Sequence, residues 1–144
     1  MTQPAASPII THSAGQTQAL GELLGRCAPA NICIALRGGL GAGKTQLVRG
    51  IARGAGVLNP SLVSSPTYAL LNIYPGPVPV FHLDAYRIAS EEDFAGVGFE
   101  ELLEAGGITV VEWPDKIPHL LPFDRLEIGI EPGEDAQERL LSIM

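Results

Sequence analysis

Eight consecutive residues, Gly38-Gly39-Leu40-Gly41-Ala42-Gly43-Lys44-Thr45, fit the spacing G-x-x-x-x-G-K-[ST] without a gap. No other feature restricts the folding of this chain as much. Glycine accepts backbone angles that strain other residues, so such a run lets successive N–H groups turn inward around one anion. The apolar stretch Asn31-Ile32-Cys33-Ile34-Ala35-Leu36 leads into the run, and the amphipathic stretch Gln46-Leu47-Val48-Arg49-Gly50 leaves it. A strand, a turn and a helix in that order aim the helix's free N–H groups and positive dipole end at the same anion. Lys44 supplies a full charge for β- and γ-phosphates, and Thr45 Oγ1 is the expected Mg²⁺ ligand. A glycine-rich turn without a ligand would not need this order of elements. The motif therefore predicts binding of ATP or ADP with Mg²⁺ through Gly39, Leu40, Gly41, Ala42, Gly43, Lys44, Thr45 and Gln46.

The remaining pattern alternates strands with helices. Leu20, Leu23, Leu24 and Cys27 recur at helical spacing between Gly15 and Cys27. The helix after the glycines is expected to begin at Lys44 and fade near Arg53. The stretches "ALLNIY" and "VPVFHLDAYR" read as strands joined by a hairpin-like "PGPVP" connection. Ser90 precedes Glu91-Glu92-Asp93 in the form of a helix N-cap, and "FEELLEA" gives another helical segment. "ITVVE" is an apolar strand stopped by Pro114, and "RLEIGI" reads as a final strand. Together these predict an α/β fold: a P-loop NTPase sandwich with a mostly parallel central sheet flanked by helices. One domain is expected over residues 1–144, with residues 1–8 a loose tail.

Charge and cysteine content narrow the function. The formal net charge of −7 leaves room for only a small basic face, against tight solitary binding of RNA or DNA. Cys27 and Cys33 lack a metal-ligand spacing and read as two buried thiols in a reducing cytosol. The first residues carry neither the basic start nor the apolar run of a secretion signal, and no stretch is long enough to span a bilayer. The expected location is the cytoplasm, with no membrane partner.

A phosphate loop serves kinases, motors and switches alike, so the chemistry depends on acids at strand ends. Glu112 ends "ITVVE" and Asp84 ends "VPVFHLD". One is expected to face the metal and the other to orient water or sense the γ-phosphate, and the residues alone leave the assignment open. His82 lies two positions before Asp84, on the same side of its strand, and reads as a packed side chain, or one that supports a site residue, rather than a base. Ser64, Ser65 and Thr67 in "SSPTY" fit a nucleotide-responsive loop or an ordinary capped turn equally well.

The segments "LRGGLGAGKTQLVRG", "SPTY", "HLDAYR", "GFEELL" and "VEWPDK" occur in the order seen in the bacterial tRNA threonylcarbamoyladenosine biosynthesis ATPases, the TsaE family. The resemblance runs from about Ser13 to Ile130. It implies a small ATPase working with TsaD- and TsaB-like proteins, with tRNA reached only through that complex. Carried over by position, Lys44 and Thr45 match the phosphate and Mg²⁺ residues, and Glu112 a second metal-side carboxylate. Asp84 matches an acid important for hydrolysis, making Asp84 and Lys44 the expected catalytic pair. Trp113 matches an aromatic beside the nucleotide, Thr17 a segment near the base, and Arg139 a basic residue close to the nucleotide. Gly39 stands where this resemblance expects an acid, and Gln46 where a second threonine is common.

A small-metabolite or nucleoside kinase shares the loop and the size. Such an enzyme usually clamps the transferred phosphoryl with an arginine-rich lid. The arginines after the loop, Arg49, Arg53, Arg87, Arg125 and Arg139, form no cluster in sequence.

Overall fold

The apolar stretch ahead of the glycines lies at the middle of a seven-stranded sheet. The computed structural model describes residues 8–39, 41–64 and 70–144. Its strands are β1 (Ile9–Thr11), β2 (Cys33–Arg37), β3 (Leu71–Tyr74), β4 (Val80–Asp84), β5 (Ile108–Glu112), β6 (Leu126–Pro132) and β7 (Arg139–Ile143). The helices are α1 (Ala14–Cys27), α2 (Lys44–Gly54), α3 (Glu91–Ala95) and α4 (Phe99–Leu102), with 3-10 turns at Pro60–Leu62 and Pro114–Lys116. Strand order is β1-β7-β6-β2-β5-β4-β3.

The expectation of a mostly parallel sheet needs correction: the sheet is mixed. The β2–β5, β2–β6 and β4–β5 pairs are parallel, whereas β1–β7, β6–β7 and β3–β4 are antiparallel. Connection length is the reason. A parallel crossover takes a dozen or more residues, but residues 75–79 and 133–138 are all that separate β3 from β4 and β6 from β7. "RLEIGI" is also not the last strand, since β7 follows it and β1 pairs outside β7.

The central strands are buried on both faces, as continuous apolar runs require. Ile34, Leu36, Val80, Val110, Ile128 and Ile130 form one core with Leu47, Val48 and Ile51 of α2. Cys33, Phe81, Leu83 and Val111 form the other with Phe94, Phe99 and Ile117. Among the described residues no helix is long and apolar enough to cross a membrane.

The α1 helix is capped as its sequence allows. Ser13 Oγ accepts from Gln16 N at 3.1 Å, and Gln16 Oε1 accepts at 2.7 Å from the N–H of His12, one residue before the cap, a variant of the capping box. Its buried seam is only in part the apolar face expected. Leu20 and Leu24 pack partly buried against the core, but the fully buried residues are Thr17, Gly21 and Gly25, and Leu23 and Cys27 are exposed. The glycines let α2 come unusually close. A Cβ on Gly25 would lie 2.1 Å from Ile51 O, and one on Gly50 would lie 2.1 Å from Gln18 O.

The two cysteines differ accordingly. Burial pushes the Cys33 thiol up to about 12, slightly opposed by the charge of Arg125. Only thiolate reacts quickly with alkylating agents, so Cys33 is expected to stay unmodified in the folded protein. Titration with a thiol-reactive dye should find one reactive thiol under native conditions, at Cys27, and two in denaturant. Two fast-reacting thiols in the native state would contradict the burial of Cys33.

Candidate functional site

The parallel core brings the carboxyl ends of β2, β4 and β5 together. Leu36 and Asp84 are both in register with Glu112. From β2 the chain enters the glycine run, where Gly41 has φ +76° and Gly43 has φ +100°. These angles fit glycine and would strain any other residue. Gly43 leads into α2 with no side-chain cap, leaving the first N–H groups of that helix open to an external acceptor. Gly39 is exposed, and a Cβ there would meet nothing within 4 Å. Packing therefore does not exclude an acid at that position. Leu40 lies outside the described residues.

Lys44, at the first position of α2, is buried. Its Nζ lies 3.2 Å from Glu112 Oε1 and 4.6 Å from the centre of the Trp113 ring. His82 Nε2 lies 2.5 Å from the other oxygen, Glu112 Oε2. Thr45, in the same first turn of α2, is half-buried. Asp84 is half-buried too, with Oδ1 accepting from Tyr86 N at 2.9 Å. Its own N–H donates to Leu70 O at 3.1 Å, which places the start of β3 at this end of the sheet.

The environment pushes the two acids apart. Burial raises Glu112, but the hydrogen bond and charge of His82, with the charge of Lys44, offset it and hold the carboxyl below its ordinary range. Asp84 is raised. Burial is the main cause and the neighbouring Glu112 charge adds to it, against the lowering effects of the Tyr86 N–H, Lys44 and His82. A carboxylate kept ionised suits cation binding, and one with a raised pKa suits proton uptake.

Trp113 stands at the end of β5 with φ 57° and ψ 50°. A left-handed backbone at a bulky residue costs about 1–3 kcal/mol and needs support from its surroundings. That support is visible. The indole packs against Tyr86, with centroids 4.8 Å apart, and against the Lys44 ammonium. The 3-10 turn after it is tied to the sheet, since Arg37 Nη2 reaches Asp115 Oδ1 at 2.9 Å and Arg37 Nη1 reaches Glu127 Oε2 at 2.8 Å. Arg125 Nε meets Glu127 from the other side at 2.8 Å.

Glu127 is held below the ordinary carboxylate range, chiefly by the Arg125 hydrogen bond; burial, the next effect, opposes it, and the Arg37 charge adds to the lowering. A lowered folded-state pKa stabilises the fold above the ordinary carboxylate pKa, and that stability is lost as pH falls through the lowered value. Glu127→Gln is therefore expected to lower stability at neutral pH by less than about 1 kcal/mol, as for an exposed pair. Urea titrations of the variant and the wild type should converge on acidification. A gap that widens with acid would contradict the assignment.

Beside Gly43 lies a cleft of about 220 Å³, and it unites residues far apart in sequence. Thr17, Gly43, Gln46 and Arg139 all line it. Thr17 is buried and shares a 2.7 Å hydrogen bond with Thr11. Gln46 Oε1 accepts from Gln18 Nε2 at 2.6 Å and Arg49 Nη1 at 3.3 Å. Arg139 Nη1 donates to the carbonyls of Ala136 at 2.9 Å and Glu138 at 2.8 Å, and Nη2 reaches Gly41 O at 3.4 Å. Trp113 does not line the cleft. It lies on the Lys44 side.

The sequence did not announce Ala14, Ala136 and Gln137, which also line the cleft. The last two belong to the β6–β7 turn, and only recognition of β7 as a strand could have brought them here. Of "SSPTY", Ser64 is described, its N–H donating to Tyr74 Oη at 3.2 Å. Residues 65–69, including Ser65 and Thr67, lie outside the described residues.

Comparison with known proteins agrees with this geometry. A family profile described as "Threonylcarbamoyl adenosine biosynthesis protein TsaE" matches residues 11–141. The tRNA threonylcarbamoyladenosine biosynthesis protein TsaE of Treponema pallidum is 37% identical over 131 residues, 91% of this chain and 96% of that protein. The protein of the same name from Bacillus subtilis is 35% identical over 125 residues, 85% of this chain and 77% of its own length. The crystal structure of Bacillus subtilis YdiB superposes with a TM-score of 0.77 at 26% identity, covering 99% of this chain and 88% of that one. The matches extend across the glycine run, both strand-end acids and Arg139, and the chain belongs to the TsaE family of threonylcarbamoyl adenosine biosynthesis proteins.

Proposed function

We propose that this chain is a Mg²⁺-dependent P-loop ATPase that supports formation of N6-threonylcarbamoyladenosine in tRNA by acting on TsaD- and TsaB-like partners. The observation that carries the reading is the meeting of Lys44, Glu112 and Asp84 at the uncapped start of α2. The triphosphate would lie against the 38–45 turn, with Lys44 leaving Glu112 for the phosphates and the adenosine end toward the Thr17–Arg139 cleft. One hydroxyl and one ionised carboxylate suit Mg²⁺, which takes few protein oxygens, so Thr45 and Glu112 would hold it. When bound, the ion supplies neutralisation of charge on the β- and γ-phosphate oxygens. Asp84, with its raised pKa, is the residue suited to orient the attacking water and accept its proton.

Turnover in isolation is expected to be slow. Arg139 is committed to backbone carbonyls, and an arginine donated by a partner can be worth three to five powers of ten in phosphoryl transfer, on the order of 10³–10⁵. An acidic chain would use a basic partner surface for steering, and tRNA would be reached through the complex. The test is steady-state phosphate release with TsaD-like protein, TsaB-like protein and tRNA added in turn. Slow release alone that rises with partners is the expected result. Fast turnover alone, or no response to any partner, overturns the reading. Label transfer to a small acceptor would make the protein a kinase.

A further inference from the structure

Among the described residues His82 is the largest polar side chain with no exposed surface, in the middle of β4. Val80, two residues before it on the same face, and Val110, in register on β5, are apolar, whereas Asn72 is in register on β3 and Asp84 lies two residues after it on the same face. A leucine would fill this place without desolvating a polar ring. The ring's contact with an acid explains its presence, the 2.5 Å approach of Nε2 to Glu112 Oε2. Nδ1 is buried with no hydrogen-bond partner among the described residues. An ionised carboxylate only accepts, so Nε2 is the atom that carries an N–H here and donates it to Glu112 Oε2.

We infer that His82 is a positioning residue that fixes the rotation of the Glu112 carboxylate, anchoring Oε2 toward the sheet and presenting Oε1 to Lys44 and the mouth of the loop. The terminal torsion of glutamate is broad, so a carboxylate with one free oxygen does not hold a single orientation. Lys44 alone would not hold it, because in the proposed function Lys44 moves to the phosphates. His82 then remains as the contact that keeps Glu112 facing the cation. The role rests on the nucleotide and Mg²⁺ reading, and it adds a residue 30 positions away from the acid it serves. Partners of this kind, behind a metal-binding side chain, typically change metal affinity about 10–100-fold when removed.

The experiment compares His82→Leu, which fills the space without a donor, with His82→Gln, whose carboxamide nitrogen can occupy the place of Nε2. The single tryptophan, Trp113, lies against Lys44 and gives a fluorescence signal for Mg²⁺ titration in the presence of a non-hydrolysable ATP analogue. Calorimetry measures metal-free ADP binding, and circular dichroism confirms folding. In His82→Leu, Mg²⁺ affinity should fall about 10–100-fold while metal-free ADP affinity stays within about threefold. His82→Gln should recover most of the Mg²⁺ affinity. If His82→Leu does not fold, His82→Asn, too short to reach Glu112, takes its place in the comparison. A folded donor-less variant with a wild-type Mg²⁺ curve overturns this role alone. Equal loss of metal-free ADP binding would also overturn it, because general disruption of the site has that signature. A wild type with no Mg²⁺ response at all overturns both this role and the metal reading beneath it.

Discussion

Asp84→Asn should bind ATP within about threefold of the wild type and lose a hundredfold or more of its partner-stimulated turnover, the usual worth of a general base. The substitution is chosen for its shape. The new carboxamide oxygen would still accept the Tyr86 N–H, so the turn after β4 has no reason to move. Only the capacity to take a proton disappears. Lys44→Ala should give the opposite pattern, weakening ATP binding tenfold or more, since Lys44 carries the full charge beside the loop. Parallel calorimetry and phosphate-release assays separate the two. Stimulated turnover in Asp84→Asn within a few fold of wild type would remove Asp84 from the chemistry and leave Glu112 as the candidate.

The second large effect is expected far from any charge. Replacing glycine by alanine inside a helix ordinarily stabilises it by about 1 kcal/mol. At Gly25 and Gly50 the sign should reverse, because each new methyl would lie 2.1 Å from a backbone oxygen of the facing helix. Backbone cannot rotate out of the way as a side chain can, so α1 and α2 must separate and open voids along the seam. Overpacking of this kind costs about 1–3 kcal/mol, occasionally more. At roughly 2–4 °C per kcal/mol for a chain of this size, Gly50→Ala should melt about 5–10 °C lower. Gly15→Ala is the control, since its methyl would meet only Ser13 Oγ at 3.8 Å. Equal melting of Gly50→Ala and wild type would mean that the helices do not cross this closely in solution.

What could be read in advance followed from how local each signal was. Lys44 and Thr45 adjoin the glycines that turn the chain, so motif and geometry are the same few residues. The β3–β4 hairpin was legible because "PGPVP" is too short for anything else. By contrast, β1 has three residues, too few to show a period, and it is defined by its pairing with β7. Half of the α1 seam was legible, since Leu20 and Leu24 do pack on the core, but Gly21 and Gly25 signal burial only once α2 is beside them. His82 and Glu112 meet because β4 neighbours β5, a fact about strand order that neither segment contains. The opposed pKa directions of Asp84 and Glu112 likewise arise from burial and from neighbours 28 or more positions away, and spacing along the chain does not report them.

The reach of Arg139 back to Gly41 spans 98 positions of sequence. An occupant of the cleft would therefore act as a removable staple, clasping the first third of the chain to its last hairpin. Such an occupant would bind the folded chain and leave the unfolded ensemble untouched. Mass action sets the gain, about 2.7 kcal/mol when ligand stands at a hundred times its dissociation constant. Parting of the β6–β7 hairpin from β2 would be the motion most suppressed, and with it the exposure of that hairpin to proteases. The survival time of the protein would then follow the supply of its own ligand, falling when that supply is exhausted.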